Sequence, residues 1–258
     1  PVSTSVNFTM NGLAPGAHYL VRIAAVNLAG ESDWTELVGG LTTVTSSATK
    51  PLGLAASRID ATTLSLSWNL PDSNGGLAIS DYRVEVSGNG GTTWTAVPHA
   101  ASNLRGFSLD KLSKGKTYKF RVAAVTSLGL GAYSDVLTVT TLVSTPGAPT
   151  GLVLKNAANG GLSVSWKAPT DNGGSPIYDY TLEVARDGSD NWVEVESIES
   201  LVKAYTVRGL APGTRFQVRV SAVNAAGFSE YLSGAFTTPK TVASAPIDLE
   251  VGNVTPNG

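Results

Sequence analysis

Residues 210–227 read Leu-Ala-Pro-Gly-Thr-Arg-Phe-Gln-Val-Arg-Val-Ser-Ala-Val-Asn-Ala-Ala-Gly. Beyond the Pro-Gly turn, Phe216, Val218, Val220 and Ala222 alternate with Gln217, Arg219 and Ser221. A period of two gives a strand one apolar and one polar face. Upstream, Leu162, Val164 and Trp166 alternate with Ser163 and Ser165, and Tyr180, Leu182 and Val184 with Thr181, Glu183 and Ala185. Strands of this kind hide their apolar faces when two sheets pack face to face, so the pattern predicts a β-sandwich.

The pattern occurs again earlier in the chain. Trp68 recurs as Trp166, Tyr82 as Tyr180, Trp94 as Trp192, Pro71 as Pro169, Gly75-Gly76 as Gly173-Gly174 and Pro51 as Pro149, every pair 98 residues apart. A constant offset across six landmarks means two copies of one domain. The first copy alternates in the same way, through Leu64, Leu66 and Trp68, then Tyr82, Val84 and Val86, then Tyr118, Phe120, Val122 and Ala124. Pro-Asp-Ser-Asn-Gly-Gly (71–76) and Pro-Thr-Asp-Asn-Gly-Gly (169–174) separate these runs and read as turns, with Asp72, Asn74, Asp171 and Asn172 capping them through their side chains.

Ala-Pro-x-Gly-Leu at 148–152, Ser-Val-Ser-Trp at 163–166 and the stretch at 210–227 resemble the fibronectin type III pattern, as do Pro-Leu-Gly-Leu at 51–54, Ser-Leu-Ser-Trp at 65–68 and Leu-Ser-Lys-Gly-Lys-Thr-Tyr-Lys-Phe-Arg-Val-Ala-Ala-Val at 112–125. The resemblance implies an all-β chain of tandem immunoglobulin-like seven-stranded β-sandwiches. Each would carry an inner Trp on strand B, a Tyr on strand C and an aromatic residue opening strand F. In the family, a tyrosine in that last place ties strand F back to the preceding loop through its hydroxyl. Tyr19 and Tyr118 can do so; Phe216 cannot.

The resemblance divides the chain into a partial module, strands E to G (1–43), two full modules (44–141 and 142–239) and the start of a further one (240–258). The two fragments together lack the B-strand Trp and all of strand C, so the chain reads as a piece of a longer array. The linkers 42–51 and 140–149 are short and end in Pro, which favours a semi-stiff rod.

Composition excludes several functions. The chain has 258 residues, 28 Gly, 13 Pro and a formal net charge of −2, with scattered Lys and Arg, so no electrostatic footprint for nucleic acid is present. Cysteine is absent, which removes thiolate zinc sites, thiol nucleophiles and disulfides. No run of about 18 apolar residues suits a membrane-spanning helix, so no membrane insertion is expected in this segment. Pro1 opens no signal peptide or other targeting segment, and the start of the gene product is expected elsewhere.

Every tempting residue has a plainer reading as framework. Trp94 and Trp192 could stack on a sugar or anchor a partner; as framework, they cover a sheet edge. Trp34, Tyr133 and Tyr231 share one position after strand F, and that regularity again reads as framework. Glu183, Asp187, Asp190, Glu194 and Glu196 could suggest calcium or a carboxylate pair. Calcium needs six to eight converging oxygens, whereas Asp-Gly-Ser-Asp-Asn at 187–191 reads as a hairpin turn. His18 and His99, the two histidines, lie in different modules. No phosphate loop, GxGxxG after a strand or Arg-Gly-Asp is present. Asn7-Phe8-Thr9 and Asn253-Val254-Thr255 fit the N-glycosylation pattern; in a bacterial context they would stay unmodified.

No catalytic, cofactor-binding or metal residue, and no cofactor, is therefore expected. The turn style at 75–82 and 173–180, with few lysines and no cysteine, resembles bacterial surface and secreted members of the family. The expected role is a non-catalytic structural, spacer or adhesive segment of a long extracellular surface protein or fibre. Its partners would be neighbouring modules or chains, self-assembly included, or a surface glycan. A virion component or other assembled filament, and accessory spacer modules of a secreted carbohydrate-active enzyme, are the alternatives.

Overall fold

The alternation is realised as antiparallel ladders in a computed structural model that describes residues 4, 6–195 and 201–241, Asn159 by its backbone alone. The expected further module (240–258) lies outside the described residues from 242 onward. The chain divides into two units, residues 1–142 and 143–258.

The partial module is one long, interrupted hairpin. His18–Tyr19 (β1), Arg22–Ile23 (β2) and Val26–Asn27 (β3) form its outgoing arm, and Gly30–Glu31 (β4), Thr35–Glu36 (β5) and Leu41–Thr42 (β6) its return. β1 pairs with β6, β2 with β5 and β3 with β4. Ile23 and Val26 are exposed, because no second sheet covers them among the described residues.

The next module is a complete sandwich. Leu52–Ser57 (β7), Leu64–Asn69 (β8) and Gly106–Leu109 (β11) form one sheet in the order β11-β8-β7. Asp81–Ser87 (β9), Thr95–Ala96 (β10), Thr117–Thr126 (β12), Gly129–Tyr133 (β13) and Leu137–Thr140 (β14) form the other. There β10-β9-β12 run side by side, and β13 and β14 pair with successive parts of β12 as one broken edge strand.

The second unit repeats this plan. Its small sheet is Thr150–Asn156 (β15), Leu162–Lys167 (β16) and Ala204–Val207 (β19). Its large sheet is Asp179–Arg186 (β17), Val193–Glu194 (β18), Arg215–Asn224 (β20), Gly227–Phe228 (β21) and Leu232–Thr237 (β22).

The core lies between the sheets. In the first full module Leu64, Leu66, Trp68, Tyr82, Val84, Phe120 and Val122 are buried; Leu162, Val164, Trp166, Tyr180, Leu182, Val218 and Val220 do the same work in the second. Each such side chain contributes roughly 1.5–3 kcal/mol. The indole of Trp68 meets Tyr82 edge-on at 5.3 Å, and Trp166 meets Tyr180 at 5.5 Å. The B-strand Trp and C-strand Tyr implied by the resemblance are thus one packing unit.

The corner before strand F carries two locks. Ala14 N–H donates to Tyr19 Oη and Ser113 N–H to Tyr118 Oη, both at 2.8 Å. Phe216 buries its ring at the same place and has no hydroxyl to accept. A second lock is present in all three corners. Thr43 Oγ1 donates to Ala14 O at 2.6 Å, Thr141 Oγ1 to Ser113 O at 2.7 Å and Thr238 Oγ1 to Ala211 O at 2.6 Å. Each hydroxyl also accepts a backbone N–H, from Ala17, Lys116 and Thr214 respectively. Thr43 and Thr141, which stand where the modules as read from the sequence overlap their linkers, therefore belong to the fabric of the modules.

Three of the four expected turn caps form, and in the first turn Ser73 Oγ, in place of the expected Asp72, accepts from Gly75 N–H at 3.1 Å. Asn74 Oδ1 accepts from Gly76 N–H, Asp171 Oδ1 from Gly173 N–H and Asn172 Oδ1 from Gly174 N–H. Buried Asn224 adds a strut, its Nδ2 donating to Ser144 O and Asn172 O, both at 2.8 Å, while Oδ1 accepts from Ala226 N–H.

Candidate functional site

A polar cluster lies on the outer face of each large sheet. Arg121 sits in β12 between apolar Phe120 and Val122, so alternation turns it away from the core. In register it stands opposite Glu85 of β9. Its Nε and Nη2 donate to Glu85 Oε2 at 2.8 and 2.6 Å. The guanidinium plane lies between two rings, 4.3 Å from the centre of Trp94 and 4.0 Å from that of Tyr133. Tyr133 Oη donates to the other carboxylate oxygen at 2.6 Å, and Arg83 Nε lies 2.9 Å from it. Four chain segments are thereby tied together: β9, the turn into β10, β12 and β13.

The second module repeats the arrangement. Arg219 lies 4.0 Å from the Trp192 ring and 4.1 Å from the Tyr231 ring. Its Nε and Nη2 donate to Glu183 at 2.7 and 3.1 Å. In the partial module Arg22 stacks on Trp34 at 4.4 Å; the strands that would bring a glutamate and a second aromatic ring are not in this segment.

The electrostatics follow from this geometry. For Glu85, burial pushes the carboxyl upward, but hydrogen bonds from Tyr133 and Arg121 and the charges of Arg121 and Arg83 outweigh it, so it titrates below the ordinary glutamate range. Glu183 is held low chiefly by the Arg219 hydrogen bond, against burial, with help from Tyr231. Burial, then the hydrogen bond to the glutamate, raises Tyr133 and Tyr231. Each carboxylate is committed to its arginine and tyrosine and each guanidinium is sandwiched, so the cluster functions as a cross-link rather than a proton-transfer site.

The remaining sequence candidates disperse. Glu183 is consumed by this stack, Asp187 pairs with Arg215 at 3.1 Å, and Glu194 lies on exposed β18. Glu196 lies outside the described residues. His18 Nδ1 bonds Thr42 Oγ1. His99 packs on Phe107 and approaches Asp81 at 3.9 Å, a pairing that sequence spacing does not reveal. Among the described residues, no group of three or more His, Asp or Glu converges as a metal site would require. No helix there is long and apolar enough to cross a membrane. A cavity of about 630 Å³ beside β18 and β19 has a mixed lining, Val184, Tyr205 and Phe216 with Arg186, Glu194 and Arg208. Sequence reasoning placed the aromatic residues as framework but missed Arg121 and Arg219, the centre of each stack. Their recurrence, Arg22 to Arg121 to Arg219, was the available signal.

Two seven-strand sandwiches, each with a B-strand tryptophan and a corner before strand F, define a tandem immunoglobulin-like β protein. The family model "Fibronectin type III domain" matches residues 49–140 and 147–238, and the chain belongs to that family. It is 30% identical to human Myomesin-2 over 231 residues, spanning 88% of this chain and 16% of that protein. To chicken "M-protein, striated muscle" it is 29% identical over 86% of this chain and 16% of that one. To zebrafish Receptor-type tyrosine-protein phosphatase F it is 29% identical over 94% of this chain and 12% of that one. The crystal structure of chicken CNTN1 FN1-FN3 domains shares the fold, with a TM-score of 0.50 and 20% identity over 75% of this chain and 67% of that one. The chain thus spans about a sixth or less of the length of these full-length relatives. They are animal proteins, and the bacterial style read into the turns finds no support in them.

Proposed function

We propose that this chain is a non-catalytic spacer or adhesive segment of a longer multi-module protein that works outside the cell, with neighbouring modules or other proteins as its partners. The observation that carries the reading is the Trp-Arg-Tyr-Glu cross-link. This assembly of charge and aromatic surface in each full module holds four chain segments together. The similarity to proteins named Myomesin-2, M-protein and Titin supports a structural role in the same way. Stretching the chain between two anchors tests it. Two discrete unfolding events are expected, each releasing roughly 300 Å of chain, and smooth extension at low force would sink the reading of the stacks as cross-links.

A second reading, a spacer in an assembled filament inside the cell, is favoured by the muscle names among the relatives. The exposed Asn7-Phe8-Thr9 acceptor separates the two. Peptide mass spectrometry of the protein from its native tissue should find a glycan on Asn7 if the extracellular reading is right, and a bare Asn7 favours the filament.

A further inference from the structure

The partial module and the module after it meet at backbone level. Gly16 N–H, in the corner before β1, donates to Val44 O at 3.3 Å, and Ser46 N–H donates to Gly75 O at 3.0 Å. One residue, Thr45, separates a position bonded to the preceding module from one bonded to the following module. The two loops also touch directly. A Cβ added at Gly16 would lie 2.9 Å from Gly76 Cα, and one added at Gly76 would lie 2.5 Å from Pro15 O and 2.7 Å from Gly16 Cα. Gly75 is tighter against the connecting strand, where an added Cβ would fall 1.7 Å from Ser46 O. Beside this contact, Ala14 and Pro15 face Leu70, Pro71 and Ile79 across a crevice of about 370 Å³.

We propose that residues 14–17, 44–46 and 73–76 form a rigid joint, in which the corner before strand F of one module is the docking partner of the loop between strands B and C of the next. The angle is fixed because two side-chain-free backbones meet. Bending toward the contact drives main chain into main chain, and the hydrogen bonds on either side of Thr45 confine any pivot between the modules to that one residue. A plainer account has Gly16 and Gly76 present only for their positive φ, +65° and +79°. Gly90 separates the two accounts, since its φ is +76° and an added Cβ there meets nothing within 4 Å. The joint stands or falls independently of what the array carries.

The chain has no cysteine, so Glu31→Cys and Asp110→Cys, both exposed positions, place one spin label on each side of the joint in the full 258-residue chain. Pulsed dipolar spectroscopy should give one narrow distance peak in the doubly labelled parent, and the same peak with Gly90→Asn. Asparagine tolerates positive φ, so Gly76→Asn introduces the Cβ with little turn strain and should abolish the narrow peak. Amide exchange at β9 and β12 shows whether the module itself stays folded. Should Gly76→Asn unfold it, Gly16→Asn, on the facing loop, takes its place with the same expected loss. A broad distribution in the parent, or an unchanged peak in a folded Gly76→Asn or Gly16→Asn variant, overturns the proposal.

Discussion

The corner hydroxyl is missing at one residue, Phe216, and its effect is local. The Ala211 N–H standing where Ala14 and Ser113 donate is exposed, so water already satisfies part of what a phenol would supply. Phe216→Tyr should therefore stabilise the second unit by at most about 1 kcal/mol, read as a small rise in its urea midpoint; a fall would contradict the corner geometry. With that lock absent, the Thr238 hydroxyl, which donates to Ala211 O and accepts from Thr214 N–H, is the side-chain lock left at this corner. Thr238→Val should cost about 1–2 kcal/mol, and more than Thr141→Val, whose corner keeps Tyr118. The missing hydroxyl could be read from the sequence because an aromatic position recurs and its oxygen does not. The threonine lock could not, because Thr43 and Thr141 follow the last alternating residues and look like linker.

Among the strands, the aromatic stack ties β17 and β20 to the residues that lead into β18 and β22, Trp192 and Tyr231, at the outer face of the sheet. Lysine cannot lie flat between two rings or bind a carboxylate through two nitrogens, so Arg219→Lys should lower stability by about 1–2 kcal/mol, followed by urea unfolding. The stack also fixes an acid response. Glu183 titrates lower in the folded than in the unfolded state, so the folded state holds fewer protons there. Its contribution is complete above the ordinary glutamate range and is lost as pH falls through the depressed folded value. The stability of the parent should accordingly drop more steeply with acidification than that of Glu183→Gln; parallel pH curves would refute the assignment. The sequence placed Trp192 and Tyr231 as framework through their 98-residue recurrence. It did not disclose what they hold, because Arg219 appears as one more polar alternate in β20. Its partners lie on other strands, reached through registers such as Arg219 opposite Glu183.

Across the whole chain, the two full modules have separate cores, so damage to one should stay there. Trp166→Ala should destabilise the second unit by about 3–5 kcal/mol and leave the first unit's transition unchanged; differential scanning calorimetry with peak assignment by amide exchange would show both transitions falling if the cores were shared. The repeat, the strand plan and the central tryptophans were readable in the sequence because burial imposes period two on them. The contacts around Gly16 and Gly76 were not, because a glycine in a turn looks the same whether it needs the backbone angle or the empty space. The tryptophan–tyrosine pair between the sheets has a further consequence. It occupies the middle of a sandwich that contains no sulfur cross-link, so thiol–disulfide exchange has nothing to act on between the sheets. Folding of these modules should therefore proceed equally with and without a thiol reductant, read as an unchanged urea midpoint when dithiothreitol is added.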